Sequence, residues 1–228
     1  MQSNDFSASR ILFRDAQILV CLKPAGVLSE GDGMPALLAE FCRAQGEPDG
    51  IWPVHRLDRD VGGVMVYART AEAAAALSSE VSCRRLEKEY LAVAGGVPEE
   101  SAGTMRDLLF KDSSKNRSYV VRRMRKGVRE AVLQYETLEL SPEKDASLVR
   151  ILLETGRSHQ IRVQFASRQL PLLGDRKYGG RPGTGIALWA HRLRFTHPVT
   201  GETMCFSAPP PESAPWTAFS KSFQEETP

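Results

Sequence analysis

The stretch Val54-His55-Arg56-Leu57-Asp58-Arg59-Asp60, followed by Val61-Gly62-Gly63 and the run Val64-Met65-Val66-Tyr67-Ala68, constrains this chain more than any other. Side chains alternate along extended backbone, so Arg56 and Asp58 project to one side while Leu57 points back toward the interior. The run 64–68 reads as a strand, and the glycines before it let another chain or a ligand come close. A carboxylate and a guanidinium thus stand together at one edge of a sheet. That is an active-site geometry, and equally the geometry of a surface ion pair.

With 228 residues the chain can bury a real core, as one large domain or two small ones. Its 42% hydrophobic and 25% charged residues fit an ordinary soluble protein. No apolar run approaches the roughly 20 residues of a membrane span, and Met1 to Arg10 lacks the basic-then-apolar pattern of a leader. A cytoplasmic protein without a membrane partner is expected. Cys21, Cys42, Cys83 and Cys205 are scattered, and His55, His159, His191 and His197 complete no zinc spacing with them. Reduced structural cysteines and no metal are expected. Neither a phosphate loop, a dinucleotide fingerprint nor a nucleophile elbow is present, so no nucleotide cofactor is implied.

Net charge is only +2, but its distribution is uneven. From Lys111 to Glu130 eight basic residues (Lys111, Lys115, Arg117, Arg122, Arg123, Arg125, Lys126, Arg129) face two acids, Asp112 and Glu130. Such a stripe engages phosphates, or else is a solvated loop or a charge-protected strand edge.

Between flexible ends at 1–10 and 220–228, residues 11–219 read as one unit without repeats or linkers. Strands are expected at 11–13, 18–22, 63–68, 88–94 and 148–154, and as a pair at 119–123 and 128–140 turning at Lys126-Gly127. The last strands fall near 187–190, 192–196 and 203–207. Helices are expected over Met34 to Ala44, with Leu37, Leu38 and Phe41 on one face, from a Thr70 cap to about Arg84, and after a Ser158 cap. The class is α+β on an extended, mainly antiparallel sheet.

Three further stretches carry candidate chemistry. Lys88-Glu89-Tyr90 places a tyrosine inside a strand, where it fills a half-buried position or serves a site. Thr155-Gly156-Arg157-Ser158-His159-Gln160-Ile161-Arg162 opens a helix whose first amides suit an anion. There Arg162 shares a face with His159, Phe165 and Ala166, as a snorkelling arginine also does. Gly174-Asp175-Arg176-Lys177-Tyr178-Gly179 is a loop of both charge signs.

In their order these stretches resemble the RluA family of RNA pseudouridine synthases. Its members carry an H-R-L-D-x-x-T-S-G-type motif, a K-x-Y strand, a T-G-R-x-H-Q-I-R segment and G-D-x-x-Y-G. Here these read His55 to Gly63, Lys88 to Tyr90, Thr155 to Arg162 and Gly174 to Gly179, with Lys23-Pro24-Ala25-Gly26-Val27 and His197-Pro198-Val199-Thr200-Gly201 also fitting. The resemblance covers roughly residues 11 to 211. Val61-Gly62 departs from the family's Thr-Ser, which predicts a looser loop after Asp58 or an altered RNA contact. The N-terminus is too short for the S4-type RNA-binding domain of some relatives, so a stand-alone catalytic domain is expected.

The resemblance implies a bent mixed sheet flanked by helices, with a central catalytic cleft. It implies an isomerase that breaks a uridine's N1–C1′ bond, turns the uracil and rejoins it through C5, without a cofactor. Asp58 is implied as the catalytic carboxylate, attacking C1′ or drawing a sugar proton, and Arg162 as the cation keeping it charged. Tyr90 is implied against the uracil ring. Arg56 is implied in flipping the uridine out of the stack, with Lys115, Arg117, Arg122, Arg123 and Arg125 holding RNA backbone. The partner is ribosomal or transfer RNA, and a monomer is the simplest expectation. The alternatives are a non-catalytic RNA-binding protein or RNA chaperone on the same fold, and a glycoside or nucleoside hydrolase using Asp58 with Asp60.

Overall fold

The computed structural model describes residues 8–183 and 185–219. The tail at 220–228 lies outside them, as do residues 1–7, and Ala8–Arg10 form a 3-10 turn. The strands are β1 (Ile11–Arg14), β2 (Ile18–Lys23), β3 (Trp52–Pro53), β4 (Gly62–Ala68), β5 (Glu87–Ala94), β6 (Ala102–Asp112), β7 (Arg117–Val121), β8 (Val128–Leu140), β9 (Ser147–Leu153), β10 (Leu188–Thr196) and β11 (Thr203–Ser207). The helices are α1 (Met34–Ala44), α2 (Ala71–Ser82) and α3 (Gln160–Ser167). The class is α+β. The chain forms two compact units, one from residues up to Glu87 with Ala190–Ala208, the other from Lys88–Trp189 with residues from Pro209 on.

In the first unit β2 pairs antiparallel with β1 and with β4, β10 follows β4, and β11 pairs antiparallel with β10. Every residue of β4 is buried, so its apolar run is covered on both faces. One face, with Ile18, Val20, Val64 and Val66, packs with Ala73 and Leu77 of α2 and with Leu193 and Phe195. The other face carries Leu19, Cys21, Met65 and Tyr67, all at 0% exposure. Thr70 starts α2 as expected, its hydroxyl accepting the Ala73 N–H at 3.1 Å. In α1 the inward stripe is Met34, Leu38 and Cys42, while Leu37 and Phe41 are only partly buried. The i, i+4 spacing of those three, not the bulk of Phe41, sets which side turns in.

In the second unit the order is β5-β9-β8-β6-β7. Residues 119–123 and 128–140 do not form the expected hairpin. β7 and β8 each pair antiparallel with β6, from its opposite edges. β7 ends opposite Leu108 and β8 begins opposite Phe110, so residues 122–127 carry the chain across β6. Arg125 lies over the Phe110 ring on this crossing, 5.1 Å from its centroid. The strands expected at 187–190 and 192–196 are one, β10. α3 covers one face of the sheet, with Val163 in a cluster with Leu109, Ala131 and Tyr178. Trp216 and Phe219 pack with Leu91, Val93 and Leu148.

Gly63, the second residue of β4, has φ +127°, and a Cβ there would meet the Ala190 carbonyl oxygen at 2.2 Å and its nitrogen at 2.6 Å. Gly63→Ala is therefore expected to lower unfolding free energy in urea by at least ~2 kcal/mol, from strain and overpacking together. At Gly46, where φ is +72° and nothing lies within 4 Å, strain acts alone, and Gly46→Ala should lose only about 1 kcal/mol. Equal losses at both positions would contradict the close approach.

Candidate active site

Between β3 and β4 the chain runs irregularly, with Leu57 buried, Arg56 exposed and Asp58 partly exposed. Leu57 is pinned from both sides of its peptide. The Ser29 hydroxyl donates to its carbonyl at 2.9 Å and accepts from its N–H at 3.0 Å. The Tyr67 hydroxyl in turn donates to the Ser29 carbonyl. Beneath the turn that follows, Lys23 is at 0% exposure, its ammonium donating to the carbonyls of Val27, Pro24 and Arg59 at 2.6, 2.9 and 3.0 Å. Gly26 N–H also donates to the Arg59 carbonyl, and the Arg59 side chain returns a bond to the Gly26 carbonyl. The Asp58 carbonyl accepts the Val61 N–H at 3.0 Å, closing the turn. Val61 and Gly62 therefore do not leave this loop loose. Lys23, Ser29 and Arg59 brace it.

Burial pushes the Lys23 ammonium down to about 8, against the pull of Asp60 and Asp58. Both carboxylates thus stand in the field of a cation that water does not reach. Arg56 reaches Glu30 at 3.4 Å, an ion pair exposed on both sides.

In the second unit Tyr90, 6% exposed, pairs across β5 and β9 with Ile151, which pairs in turn with Tyr135. All three project to one face, and Phe165 of α3 meets the Tyr135 ring edge-on at 5.9 Å. Arg162 lies on that helix at 4% exposure, held by a fork. Its Nε meets Asp175 Oδ2 at 2.6 Å and its Nη2 meets Oδ1 at 2.9 Å, with Asp175 at 0% exposure. It is not a snorkelling arginine. Tyr178 lies beneath, its ring centre 5.3 Å from the Arg162 guanidinium and 5.0 Å from that of Arg117. The Tyr178 hydroxyl accepts the Ser118 N–H at 2.8 Å and shares a hydrogen bond with His159 Nδ1 at 2.9 Å.

His159, not Ser158, precedes the helix, in the left-handed region at φ 53° and without a side-chain cap. Ser158 is occupied otherwise, its carbonyl accepting the Ser118 hydroxyl. Sequence reasoning placed Arg162 on the right helix but missed Asp175 and Tyr178 as its supports, although both stand in the Gly174 to Gly179 loop it singled out.

The basic stripe divides. Lys115, Arg122, Arg123 and Arg125 are exposed, as is Met124 at 62% exposure. Arg117 is drawn inward over Tyr178 and Tyr119 and serves their packing. Among the described residues no group of three or more His, Cys, Asp or Glu side chains is placed to hold a metal, and no helix is long and apolar enough to cross a membrane.

The depressed Lys23 value makes stability depend on pH. Between about 8 and the ordinary 10.5 the unfolded chain keeps a proton that the folded chain has released. Stability from this group therefore rises with pH across that window and is lost as pH falls through about 8. The difference in unfolding free energy between wild type and Lys23→Met should grow from about pH 8 to about pH 10. A flat difference would refute the linkage.

The family described as RNA pseudouridylate synthase matches residues 17–167. An uncharacterized RNA pseudouridine synthase of Bacillus subtilis, YhcT, is 35% identical over 211 residues, spanning 88% of this chain and 68% of its own length. Ribosomal large subunit pseudouridine synthase D of Haemophilus influenzae is 36% identical over 226 residues, spanning 89% of this chain and 67% of its own. The chain thus spans about two thirds of the length of these relatives. Among solved structures, human RNA pseudouridylate synthase domain containing 1 is 26% identical, with a TM-score of 0.71 over 88% of this chain and 83% of its own. Human RNA pseudouridylate synthase domain containing 4, at 23% identity, shares the fold with a TM-score of 0.77 over 96% of this chain and 95% of its own. The chain belongs to the RNA pseudouridylate synthase family.

Proposed function

We propose that this RNA pseudouridine synthase converts uridines of ribosomal RNA, transfer RNA or both, in the cytoplasm, with Asp58, Tyr90 and Arg162 as its catalytic residues. The observation that carries the proposal is the support given to Asp58. A carboxylate on a turn fixed by Lys23, Ser29 and Arg59 is aimed without further ordering, which is what stabilising a developing positive charge at C1′ requires. The product is an isomer of the substrate. The N1–C1′ bond breaks, the C5–C1′ bond forms, and the proton leaving C5 is balanced by one gained at N1, so the reaction needs no external oxidant or reductant. Arg162 stays cationic at every working pH, and its fork to Asp175 fixes where that charge stands. Tyr90, with its ring in an apolar face, offers a surface on which uracil stacks. The name of the Haemophilus relative, a ribosomal large subunit pseudouridine synthase, supports ribosomal RNA among the substrates.

Arg56 is proposed to fill the gap left by a flipped uridine, exchanging its exposed contact with Glu30 for RNA. The exposed cations Lys115, Arg122, Arg123 and Arg125, with Arg117 at their inner edge, are proposed to hold RNA backbone.

Mapping pseudouridine in total RNA from cells lacking the gene, complemented by wild type or Asp58→Asn, tests the catalytic assignment. Sites should vanish on deletion and return with wild type alone. Purified Asp58→Asn should retain its fold and bind RNA while losing at least ~10³-fold in rate, the scale of removing a residue that joins the chemistry. Retained activity would remove Asp58 from the chemistry, and free uracil among the products would favour a hydrolase. Replacing Arg122, Arg123 and Arg125 by Gln should lower the slope of log affinity against log salt by about 2–3. An unchanged slope would place the RNA elsewhere.

A further inference from the structure

Lys88 is a cation that the chemistry above leaves unused. It stands two residues before Tyr90 on β5 and so leaves the sheet on the same face. Its cross-strand partner is Leu153, as Ile151 is that of Tyr90. The side chain is partly buried, and its ammonium lies against Gly156, where a Cβ would meet Nζ at 3.2 Å. Burial holds its pKa below the ordinary lysine value, and no neighbouring charge opposes that shift. Among the described residues Lys88 has neither an ion-pair partner nor a hydrogen-bond acceptor.

The buried cations treat the problem differently. Lys23 is held by three carbonyls, Arg69 by Glu47 and the carbonyls of Asp15 and Pro48, and Arg162 by Asp175. Removing a cation from water is unfavourable unless an anion or several acceptors replace the water. A partly desolvated ammonium beside the proposed uracil platform, with no protein anion to meet it, matches an anion that arrives with the substrate. We propose that Lys88 binds a phosphodiester group flanking the target uridine, which fixes the nucleotide while its base lies against Tyr90. The inference rests on the reading of Tyr90 as the uracil-binding residue. A phosphodiester is favoured over a base carbonyl because a carbonyl is a single neutral acceptor where Lys23 draws on three, whereas a phosphate brings a full negative charge on several oxygens.

The probe is a short RNA on which wild type forms pseudouridine, resynthesised with a neutral methylphosphonate in place of the phosphate 5′ or 3′ to the target uridine. Binding is measured with Asp58→Asn, so that the RNA stays unreacted. Adding Lys88→Met should weaken binding to the unmodified RNA roughly tenfold, and Lys88→Arg should restore most of the loss. Neutralising one of the two phosphates should weaken Lys88-containing protein about as much, and should cost nothing further once Lys88 is Met. That non-additivity is not produced by a purely structural lysine. Losses from Lys88→Met and from either methylphosphonate that simply add would overturn the phosphate site, as would unchanged binding. Additive losses with coupling to 4-thiouridine at the target instead would assign Lys88 to the base. A panel of ribosomal and transfer RNAs on which wild type forms no pseudouridine would sink the enzyme reading itself, and the phosphate site with it.

Discussion

A lysine at zero exposure cannot exist without acceptors, and in this chain the acceptors chosen for Lys23 organise the loop that carries Asp58. Two of its three carbonyls, Pro24 and Val27, belong to the turn leaving β2, and the third, Arg59, belongs to the segment entering β4. One ammonium thus ties two chain segments 36 residues apart. Removing it would strand the carbonyls of Pro24 and Val27 in a place where water does not replace it, and would leave that of Arg59 only the Gly26 N–H. The Ser29–Leu57 exchange adds a second tie between the same two segments. The position of Asp58 is accordingly a consequence of the interior of the first unit, not of the surface loop in which it lies.

The second unit solves the same physical problem with a carboxylate. Arg162 lies in a stretch of helix buried from Gln160 to Phe165, and Asp175 gives its charge a fixed partner. Tyr178 supports both, and its hydroxyl connects the cluster to Ser118 and His159. Buried pairs of this kind add little net stability over apolar packing, but they fix geometry strictly. For the role proposed for Arg162, that trade favours orientation.

Much of this was readable from residues near one another in sequence. β2, β4, β5 and β9, the Thr70 cap and the burial of Leu57 follow from local periodicity and side-chain chemistry, and they were legible. β6 was not, because Ala102–Asp112 mixes exposed, charged and apolar positions without a clean period. The pairing of β7 and β8 with β6 instead of each other was hidden for another reason. The short turn at Lys126-Gly127 satisfies hairpin rules, and nothing local reveals the third strand between them. His159 in place of Ser158 at the start of α3 reflects tertiary contacts of both residues that outweigh intrinsic capping preference. For the proposed site, the family motifs point to Asp58, Tyr90 and Arg162, whereas the supports Ser29 and Asp175 depend on distances that sequence does not record.

The first unit is discontinuous, and this orders its folding. β4 lacks its neighbour β10 until residues 190–196 have been made, more than a hundred residues later. Over that interval Val64 and Val66 have only part of their final packing, since Leu193 and Phe195 are still missing. The second unit's β5 to β9 and α3 lie wholly within the intervening chain, so they emerge from the ribosome first. A compact insert shortens the effective loop that must close, which lowers the entropy lost when β10 docks. Translation thus leaves β4 with its apolar strand edge open to non-native pairing until β10 is made, while the second unit in turn waits for Trp216 and Phe219.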